Sequence, residues 1–142
     1  MKKILITGGS GFIGTNLINL FISKKNYSIL NIDKYTYASN RYLENLKLSK
    51  KVYRHVKIDI CNYNELKKII KSFKPDKIIH LAAESHVDNS ISGSKQFIQT
   101  NIIGTYNLLE ISRLYLLNHK QSQKKGFVFH HISTDEVYGD LK

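Results

Sequence analysis

The sequence predicts an α/β domain in which helices cover both faces of a doubly wound parallel sheet. Apolar runs of strand length predict strands at residues 3–7, 28–32, 52–58, 77–82 and 126–132. Segments of helical period separate these runs. This alternation is typical of a parallel sheet, because parallel strands need a long crossover connection that is usually a helix. The length of 142 residues predicts one domain with its own core.

Apolar stripes at helical spacing predict three helices. The first helix carries the stripe Ile13, Leu17, Leu20 and Phe21. The second carries Leu66, Ile69, Ile70 and Phe73, and we expect both stripes to face the sheet. A third helix, from about residue 95 to about residue 118, carries Ile98, Ile102, Thr105 and Leu109 on one face. Asn62 followed by Glu65 resembles a capping box at the start of the second helix. Residues 35–48 are predicted to form a loop with a short helix.

The composition excludes several classes of protein. The 22 basic and 11 acidic residues give a net charge of +11, but the lysines are scattered without the aromatic interleaving of a single-strand binder, so no nucleic-acid partner is predicted. No apolar run is long enough for a membrane span, and the start of the chain does not read as a signal peptide. We therefore expect a cytoplasmic protein. The single cysteine, Cys61, excludes an internal disulfide and is interpreted as a small packed residue.

A glycine-rich turn directly follows the first predicted strand and opens the first helix. Gly8, Gly11 and Gly14 form a Gly-x-x-Gly-x-x-Gly spacing, and Gly-x-Gly-x-x-Gly is present in the same segment. Such a turn lets the backbone approach a pyrophosphate, which the amides and dipole of the helix then attract. Asp33 ends the second strand, where a carboxylate accepts hydrogen bonds from an adenosine ribose. The pattern predicts a Rossmann domain that binds NAD rather than NADP, since Asp33 would repel a 2′-phosphate.

Other polar residues are weaker candidates. The histidines lack the spacing of a zinc site, so no metal is predicted. Ser133 lacks the flanking glycines of a nucleophile elbow. Asp135 and Glu136 follow a buried strand at its carboxyl end, where open α/β sheets place their sites, and this position favours a functional carboxylate pair over a solvated turn.

Four further segments carry a family resemblance. They are residues 32–38 (IDKYTYA), 80–88 (HLAAESHVD), 100–105 (TNIIGT) and 133–139 (STDEVYG). With the glycine turn, they resemble the extended short-chain dehydrogenase/reductase family, and within it the dTDP-glucose 4,6-dehydratases, over essentially the whole chain. The sequence departs from the usual pattern at Ser39, where glycine is common, and at Asn89, where arginine is common.

The resemblance implies a set of cofactor and substrate contacts. Phe12 and Ile13 would line the dinucleotide, and Asp33, Lys34, Tyr35 and Thr36 would hold its adenosine ribose. Asp59 and Ile60 would meet the adenine, Leu81, Ala82 and Ala83 would lie beneath the nicotinamide half, and Thr100 would contact the cofactor. Ser85 and Thr134 would touch the sugar. The implied partners are dTDP-glucose or a similar nucleotide sugar and a second copy of the chain, in a homodimer formed through helices such as the third one.

The resemblance also implies catalytic roles. Asp135 would be the general acid and Glu136 the general base of a dehydration that gives dTDP-4-dehydro-6-deoxyglucose, with Thr134 beside them. After hydride leaves C4 for NAD, the ketone makes the C5 proton acidic enough for a carboxylate to remove, and loss of the C6 hydroxyl as water needs an acid. Proton removal at C5 and loss of water at C6 therefore agree with a lyase of deoxysugar biosynthesis.

The family's functional Tyr-x-x-x-Lys pair and its C-terminal substrate domain are expected beyond Gly139. Residues 1–142 are accordingly interpreted as the NAD-binding Rossmann domain, truncated before that pair and inactive alone. Two alternatives stay open, namely another nucleotide-sugar epimerase or dehydratase, and a remnant that binds NAD without turnover.

Overall fold

The structure is a computed structural model that describes residues 1–117, 119 and 125–139; the side chains of residues 87, 89, 92 and 136 are not described. Its strands are β1 (Lys2–Thr7), β2 (Tyr27–Asp33), β3 (Tyr53–Lys57), β4 (Lys77–His80) and β5 (Val128–His131). Its α-helices are α1 (Phe12–Ser23), α2 (Tyr63–Phe73), α3 (Val87–Ser92), α4 (Ser94–Phe97) and α5 (Thr105–Leu117). Short 3₁₀-helices span Tyr42–Asn45 and Asp135–Tyr138, and a π-helical segment spans Ile98–Gly104.

The five strands form one parallel sheet in the order β3-β2-β1-β4-β5. Strand β1 lies in the centre, where Ile4 pairs with Ile29 of β2 on one side and with Lys77 of β4 on the other. The chain therefore builds outwards from β1 first in one direction and then in the other, which confirms the predicted doubly wound sheet. Beyond the end of a central strand, this order leaves a crevice between the two halves.

Apolar side chains are buried on both faces of the sheet, as expected for parallel strands covered by helices. Helices α2 and α5 cover one face, whose buried residues are Leu5, Leu30, Ile32, Ile60, Leu66, Ile70, Phe73, Ile78, Leu108 and Ile111. On the other face, which α1 and the first 3₁₀-helix cover, they are Ile4, Ile6, Ile18, Ile29, Leu43, Tyr53 and Ile79. In the described part of the chain, no helix is long and apolar enough to cross a bilayer.

The start of helix α2 agrees with the sequence. The side chain of Asn62 accepts a hydrogen bond from the amide of Glu65 at 3.3 Å, which satisfies one of the free amides of the first turn. Lys74 ends the helix in the left-handed conformation with φ 54°. The predicted stripe of this helix is buried or partly buried.

The predicted stripe of helix α1 is only partly correct. Ile18 is buried against the sheet, with Leu17 and Phe21 packed beside it, while Ile13 and Leu20 are exposed. Close packing of the glycine turn explains this, since Gly14 and Thr15 are the residues that enter the sheet interface at the start of the helix. Helix α1 therefore contacts the sheet through small residues at its amino end and through apolar residues further along.

The third predicted helix begins with a π-helical segment, and its most apolar face is exposed. Thr100, Gly104 and Leu108 face the core, while Ile98, Ile102 and Leu109 are at least half exposed. These buried residues are spaced four apart, as on one face of a helix, so the sheet packs against this face rather than against the more apolar one. Of the four residues that spacing placed on one face, only Thr105 packs inwards, where it bonds to His80. Gly104 allows the close approach on the buried face, since a Cβ there would lie 2.5 Å from the side chain of Ile60.

Candidate functional site

A cleft of about 900 Å³ lies at the carboxyl edge of the sheet. Strand β1 ends between β2 and β4, so the segments that follow these three strands meet there. The cleft is lined by the glycine turn after β1 and by residues that follow β2, β3, β4 and β5. Its position is the one where open α/β sheets bind ligands.

The glycines of the turn have different physical roles. Gly8 has φ +71°, and a Cβ on it would lie 2.6 Å from the backbone nitrogen of Ala82. A Cβ on Gly14 would lie 2.5 Å from the carbonyl oxygen of Gly8. At Gly11, in contrast, the nearest atom to a Cβ would be the Gly8 oxygen at 3.3 Å, and this residue lines the cleft. Gly8 and Gly14 are thus required by packing, whereas Gly11 keeps space open for a ligand.

The amino end of helix α1 is available to an anion. Gly11 is its N-cap and provides no side-chain hydrogen bond to the first turn, which contains no acidic residue. The amides of Phe12, Ile13 and Gly14 precede the first amide that bonds within the helix, and all three residues line the cleft. Free amides and the positive end of the helix dipole together attract phosphate.

The carboxylate of Asp33 connects the glycine turn to the loop after β2. Its Oδ2 accepts a hydrogen bond from the amide of Ser10 at 3.0 Å, and its Oδ1 accepts bonds from the amide of Tyr35 at 2.8 Å and the hydroxyl of Ser39 at 3.2 Å. Asp33 is largely buried but lines the cleft. Ser39, which departs from the family's usual glycine, thereby adds a hydrogen bond to the acidic residue.

An ion pair joins the loop after β2 to the loop after β4. The Nζ of Lys34 lies 3.0 Å from Oε1 of Glu84 and donates a hydrogen bond to the hydroxyl of Thr100 at 3.2 Å. The side-chain amide of Asn101 holds the backbone of Glu84 by accepting from its N–H at 2.8 Å and donating to its carbonyl at 2.9 Å. This network connects three sides of the cleft.

A buried histidine lies at the end of β4. The ring of His80 bonds through Nδ1 to the hydroxyl of Thr7 at 2.7 Å and through Nε2 to that of Thr105 at 2.8 Å, and it stacks on His131 at 5.0 Å. Burial and, to a lesser degree, His131 lower the pKa of His80 to about 4. The imidazole is therefore neutral at physiological pH and ties β1, β4 and α5 together next to the cleft.

Asp59 and Cys61 form a turn after β3. Oδ1 of Asp59 accepts a hydrogen bond from the amide of Cys61 at 2.8 Å, and the Cys61 thiol donates to the carbonyl of Gln99 at 3.1 Å. Burial and the nearby Asp59 raise the pKa of the Cys61 thiol to about 11. A thiol in this state is not an activated nucleophile, which agrees with the interpretation of Cys61 as a packed residue.

Most of the residues proposed from the sequence lie together in the cleft. Those that line it are Gly8, Gly11, Phe12, Ile13, Gly14, Asp33, Lys34, Thr36, Asp59, Ile60, Leu81, Ala82, Ala83, Ser85, Thr100 and Thr134. Tyr35 does not line it: its backbone has φ 58°, and its ring packs against His55 and Arg41 instead. The left-handed conformation turns this side chain away from the ligand side of the loop.

The predicted catalytic pair belongs to the 3₁₀-helix that follows β5, a strand whose residues are mostly exposed rather than buried as expected. Asp135 begins the 3₁₀-helix that follows β5, is exposed, and accepts a hydrogen bond from the hydroxyl of Thr134 at 3.3 Å. Of the three predicted catalytic residues, Thr134 lines the cleft and Asp135 is outside its lining. The side chain of Glu136 lies outside the described residues, as does that of Asn89.

The spacing Tyr-x-x-x-Lys occurs within the chain, at Tyr53 with Lys57, Tyr63 with Lys67 and Tyr138 with Lys142. The first pair is on β3 and the second on α2, and none of these four side chains lines the cleft. Lys142 lies outside the described residues. The spacing alone therefore does not identify a functional pair, and no tyrosine lines the cleft among the residues that the structure describes.

Sequence reasoning missed Glu84, Asn101 and His80 as parts of the site. His80 ends strand β4, Glu84 follows it and Asn101 lies in the π-helical segment, and such positions can indicate a site. Their hydrogen-bond partners, however, are distant in sequence. Within the described residues, no group of three histidine, cysteine or acidic side chains could hold a metal ion.

The comparisons with known proteins identify relatives over the whole chain. The model of the family described as GDP-mannose 4,6 dehydratase matches residues 5–142. The chain is 50% identical over 141 residues to dTDP-glucose 4,6-dehydratase of Haemophilus influenzae, a match that covers 99% of this chain and 42% of that protein. It spans about 40% of the length of the curated relatives that it matches.

Solved structures agree with this relationship. A dTDP-glucose 4,6-dehydratase from Bacillus anthracis in complex with NAD matches with a TM-score of 0.76 and 35% identity over 100% of this chain and 40% of that one. A dTDP-glucose 4,6-dehydratase from Streptomyces venezuelae with NAD and TYD bound matches with a TM-score of 0.78 and 34% identity over 99% and 42%. The fold, the glycine turn and the family match agree, and the chain belongs to the GDP-mannose 4,6-dehydratase family.

Proposed function

We propose that the cleft binds NAD and that residues 1–142 act as the NAD-binding Rossmann domain of a nucleotide-sugar dehydratase of the dTDP-glucose 4,6-dehydratase type. The observation that carries this proposal is the convergence of Gly11, the free amides of helix α1 and the carboxylate of Asp33 on one cleft. A phosphate needs the first two features and an adenosine ribose needs the third. The relatives named above support the same assignment.

The strand order suggests how a dinucleotide would lie. Its pyrophosphate would cover the amino end of α1, which starts from the central strand. The adenosine half would extend over β2 and β3, towards Asp33, Asp59 and Ile60. The nicotinamide half would extend over β4 and β5, above Leu81 and Ala82.

This orientation brings the sugar to the side of the cleft that holds the candidate catalytic residues. Ser85 and Thr134 line that side, and Asp135 and Glu136 follow Thr134 directly. NAD, when bound, would supply the hydride acceptor for C4 and would return the hydride to C6 after water is lost, as a proton returns to C5. Between the two hydride transfers, Glu136 would take the C5 proton, and Asp135 would give a proton to the departing C6 hydroxyl.

The experiment is a calorimetric titration of the chain with NAD and with NADP. We expect NAD to bind at least about tenfold more tightly, because Asp33 would face the 2′-phosphate of NADP across a partly dry site. The variant Asp33→Asn removes the charge but keeps an oxygen for the Ser10 amide, and should narrow the preference. Asp76→Asn, at the opposite edge of the sheet, is the matched control. Equal affinities for both dinucleotides in the unmodified chain would contradict the role of Asp33.

We also infer that the chain forms a homodimer through an exposed helical stripe. The stripe consists of the apolar residues Ile98, Ile102, Tyr106, Leu109 and Leu117, each at least half exposed. Leu114, on the same helix, is half-buried and is not part of the stripe. An apolar stripe of this length is unusual on a helix that faces only water.

Sedimentation measurements test the dimer. A charge at the centre of the stripe, as in Leu109→Glu, should shift the chain to a monomer, because an unpaired carboxylate would be buried in the interface. Leu20→Glu, on the exposed face of α1, provides a control of equal chemistry. A monomeric mass for the unmodified chain at high concentration would refute this interface.

A further inference from the structure

The ion pair between Lys34 and Glu84 crosses the cleft beside the proposed adenosine site. The Lys34 side chain is 24% exposed and that of Glu84 only 9%. Besides the 3.0 Å contact with Lys34, Oε1 of Glu84 accepts a hydrogen bond from the side-chain amide of Gln96 at 3.2 Å. Thr100 provides the second acceptor for the lysine ammonium at 3.2 Å. The ammonium is thus held against the side of the cleft formed by the β4 loop and the π-helical segment.

Lys34 occupies a position that matters for the choice of dinucleotide. It directly follows Asp33, and a basic residue near the end of the second strand is what accommodates the 2′-phosphate of NADP. Among the described residues that line the cleft, Lys34 is the one lysine or arginine, beside the carboxylates of Asp33, Asp59 and Glu84. If its ammonium were free, it could turn towards the adenosine ribose and offset the repulsion from Asp33.

We propose that Glu84 is a specificity-determining residue of the dinucleotide site, which excludes NADP by holding the Lys34 ammonium away from the 2′-position of the adenosine ribose. This inference rests on the proposed function, because it takes the adenosine ribose to lie against Asp33. Discrimination then has two parts: Asp33 repels the 2′-phosphate, and Glu84 withholds the cation that could accept it.

The backbone of Glu84 is fixed well enough for this role. Asn101 bonds to both its N–H and its carbonyl, so the side chain of Glu84 extends from a fixed backbone position on the β4 side of the cleft. Removing the charge while keeping the shape should therefore release Lys34 without moving the loop. Glu84→Gln is that change.

The experiment compares dissociation constants for NAD and NADP in four forms of the 142-residue chain: unmodified, Glu84→Gln, Lys34→Met and the double variant. The measured quantity is the ratio of the NADP constant to the NAD constant, because the general effect of removing a carboxylate acts on both dinucleotides. In Glu84→Gln we expect this ratio to fall roughly tenfold, the usual worth of a charge-assisted hydrogen bond to a phosphate. The double variant should return it to near the unmodified value.

Two results would overturn the proposal: an unchanged ratio in Glu84→Gln, or a fall of equal size in Glu84→Gln and the double variant. The second result would mean that lost negative charge, rather than a freed lysine, attracts the phosphate. Thr100→Val removes the hydroxyl that is the other acceptor of the Lys34 ammonium, and it should lower the ratio of the NADP constant to the NAD constant by a smaller factor. This variant provides a second test if Glu84→Gln does not fold. Absence of NAD binding by the unmodified chain would instead refute the proposed function, and this inference with it.

Discussion

The buried imidazole of His80 predicts a measurable dependence of folding stability on pH. His80 has no exposed surface, and its two ring nitrogens bond to the hydroxyls of Thr7 and Thr105. Its pKa falls from an ordinary value of 6.5 to about 4 in the folded chain, chiefly through burial. Between these values the unfolded chain takes up a proton that the folded chain does not.

The sign and size of the effect follow from this difference. The free energy of unfolding should decrease as the pH falls through 6.5 and continue to decrease to about pH 4, while above pH 7 this group has no effect. One pKa unit corresponds to about 1.4 kcal/mol, so the full loss is on the order of 3 kcal/mol. That is a large part of the 5 to 15 kcal/mol typical of a folded domain.

Urea unfolding at a series of pH values from 7.5 to 4.5 measures this dependence. His80→Gln removes the titrating group, so its free energy of unfolding should be lower at pH 7.5, through lost packing and hydrogen bonds, but should change less as the pH falls. His130→Gln, on the exposed end of the sheet, is the control and should follow the unmodified chain. Parallel losses of stability in the unmodified chain and in His80→Gln would refute the reasoning.

Three other predictions follow from the site. Gly14→Ala should lower the thermal midpoint of unfolding, because its Cβ would lie 2.5 Å from the Gly8 oxygen. Gly11→Ala should mainly weaken NAD binding. Calorimetry of both variants would contradict this prediction if the two effects were reversed. Asn62→Ala should reduce stability by about 1 kcal/mol through loss of the cap on α2, and an unchanged urea midpoint would contradict the role of that cap. The purified chain should not convert dTDP-glucose to the 4-dehydro-6-deoxy product, because no tyrosine lines the described cleft to deprotonate the C4 hydroxyl; turnover that Asp135→Asn abolishes would show otherwise.

The strands and the glycine turn were predictable because local sequence determines them. Ile4, Leu5 and Ile6 form an unbroken apolar run, which suits a strand that is buried on both faces. The requirement for glycine at residues 8 and 14 comes from contacts within one turn and with the adjacent strand ends. These elements carry their information in short segments, and their predicted positions agree with the structure to within a few residues.

The faces of two helices were not predictable in the same way. Spacing placed Ile98, Ile102, Thr105 and Leu109 on a common stripe, but spacing does not say which face of a helix meets the sheet. The face that packs is the one on which Gly104 leaves room for Ile60. The exposed apolar stripe and the buried face with Thr100 and Gly104 have the same helical period, so only packing against the turn after β3 distinguishes them.

The sequence by itself determined the alternation of strands and helices, the glycine turn and the acidic residue at the end of β2. Only the tertiary structure decided that Lys34 pairs with Glu84, that Asp33 also holds Ser10, and that His80 lies between two threonines. Each of these contacts joins loops or strands that are far apart in the chain. Their proximity depends on the order β3-β2-β1-β4-β5, which places the ends of β2 and β4 on either side of β1, and strand order is a property of the whole packed sheet rather than of any one segment.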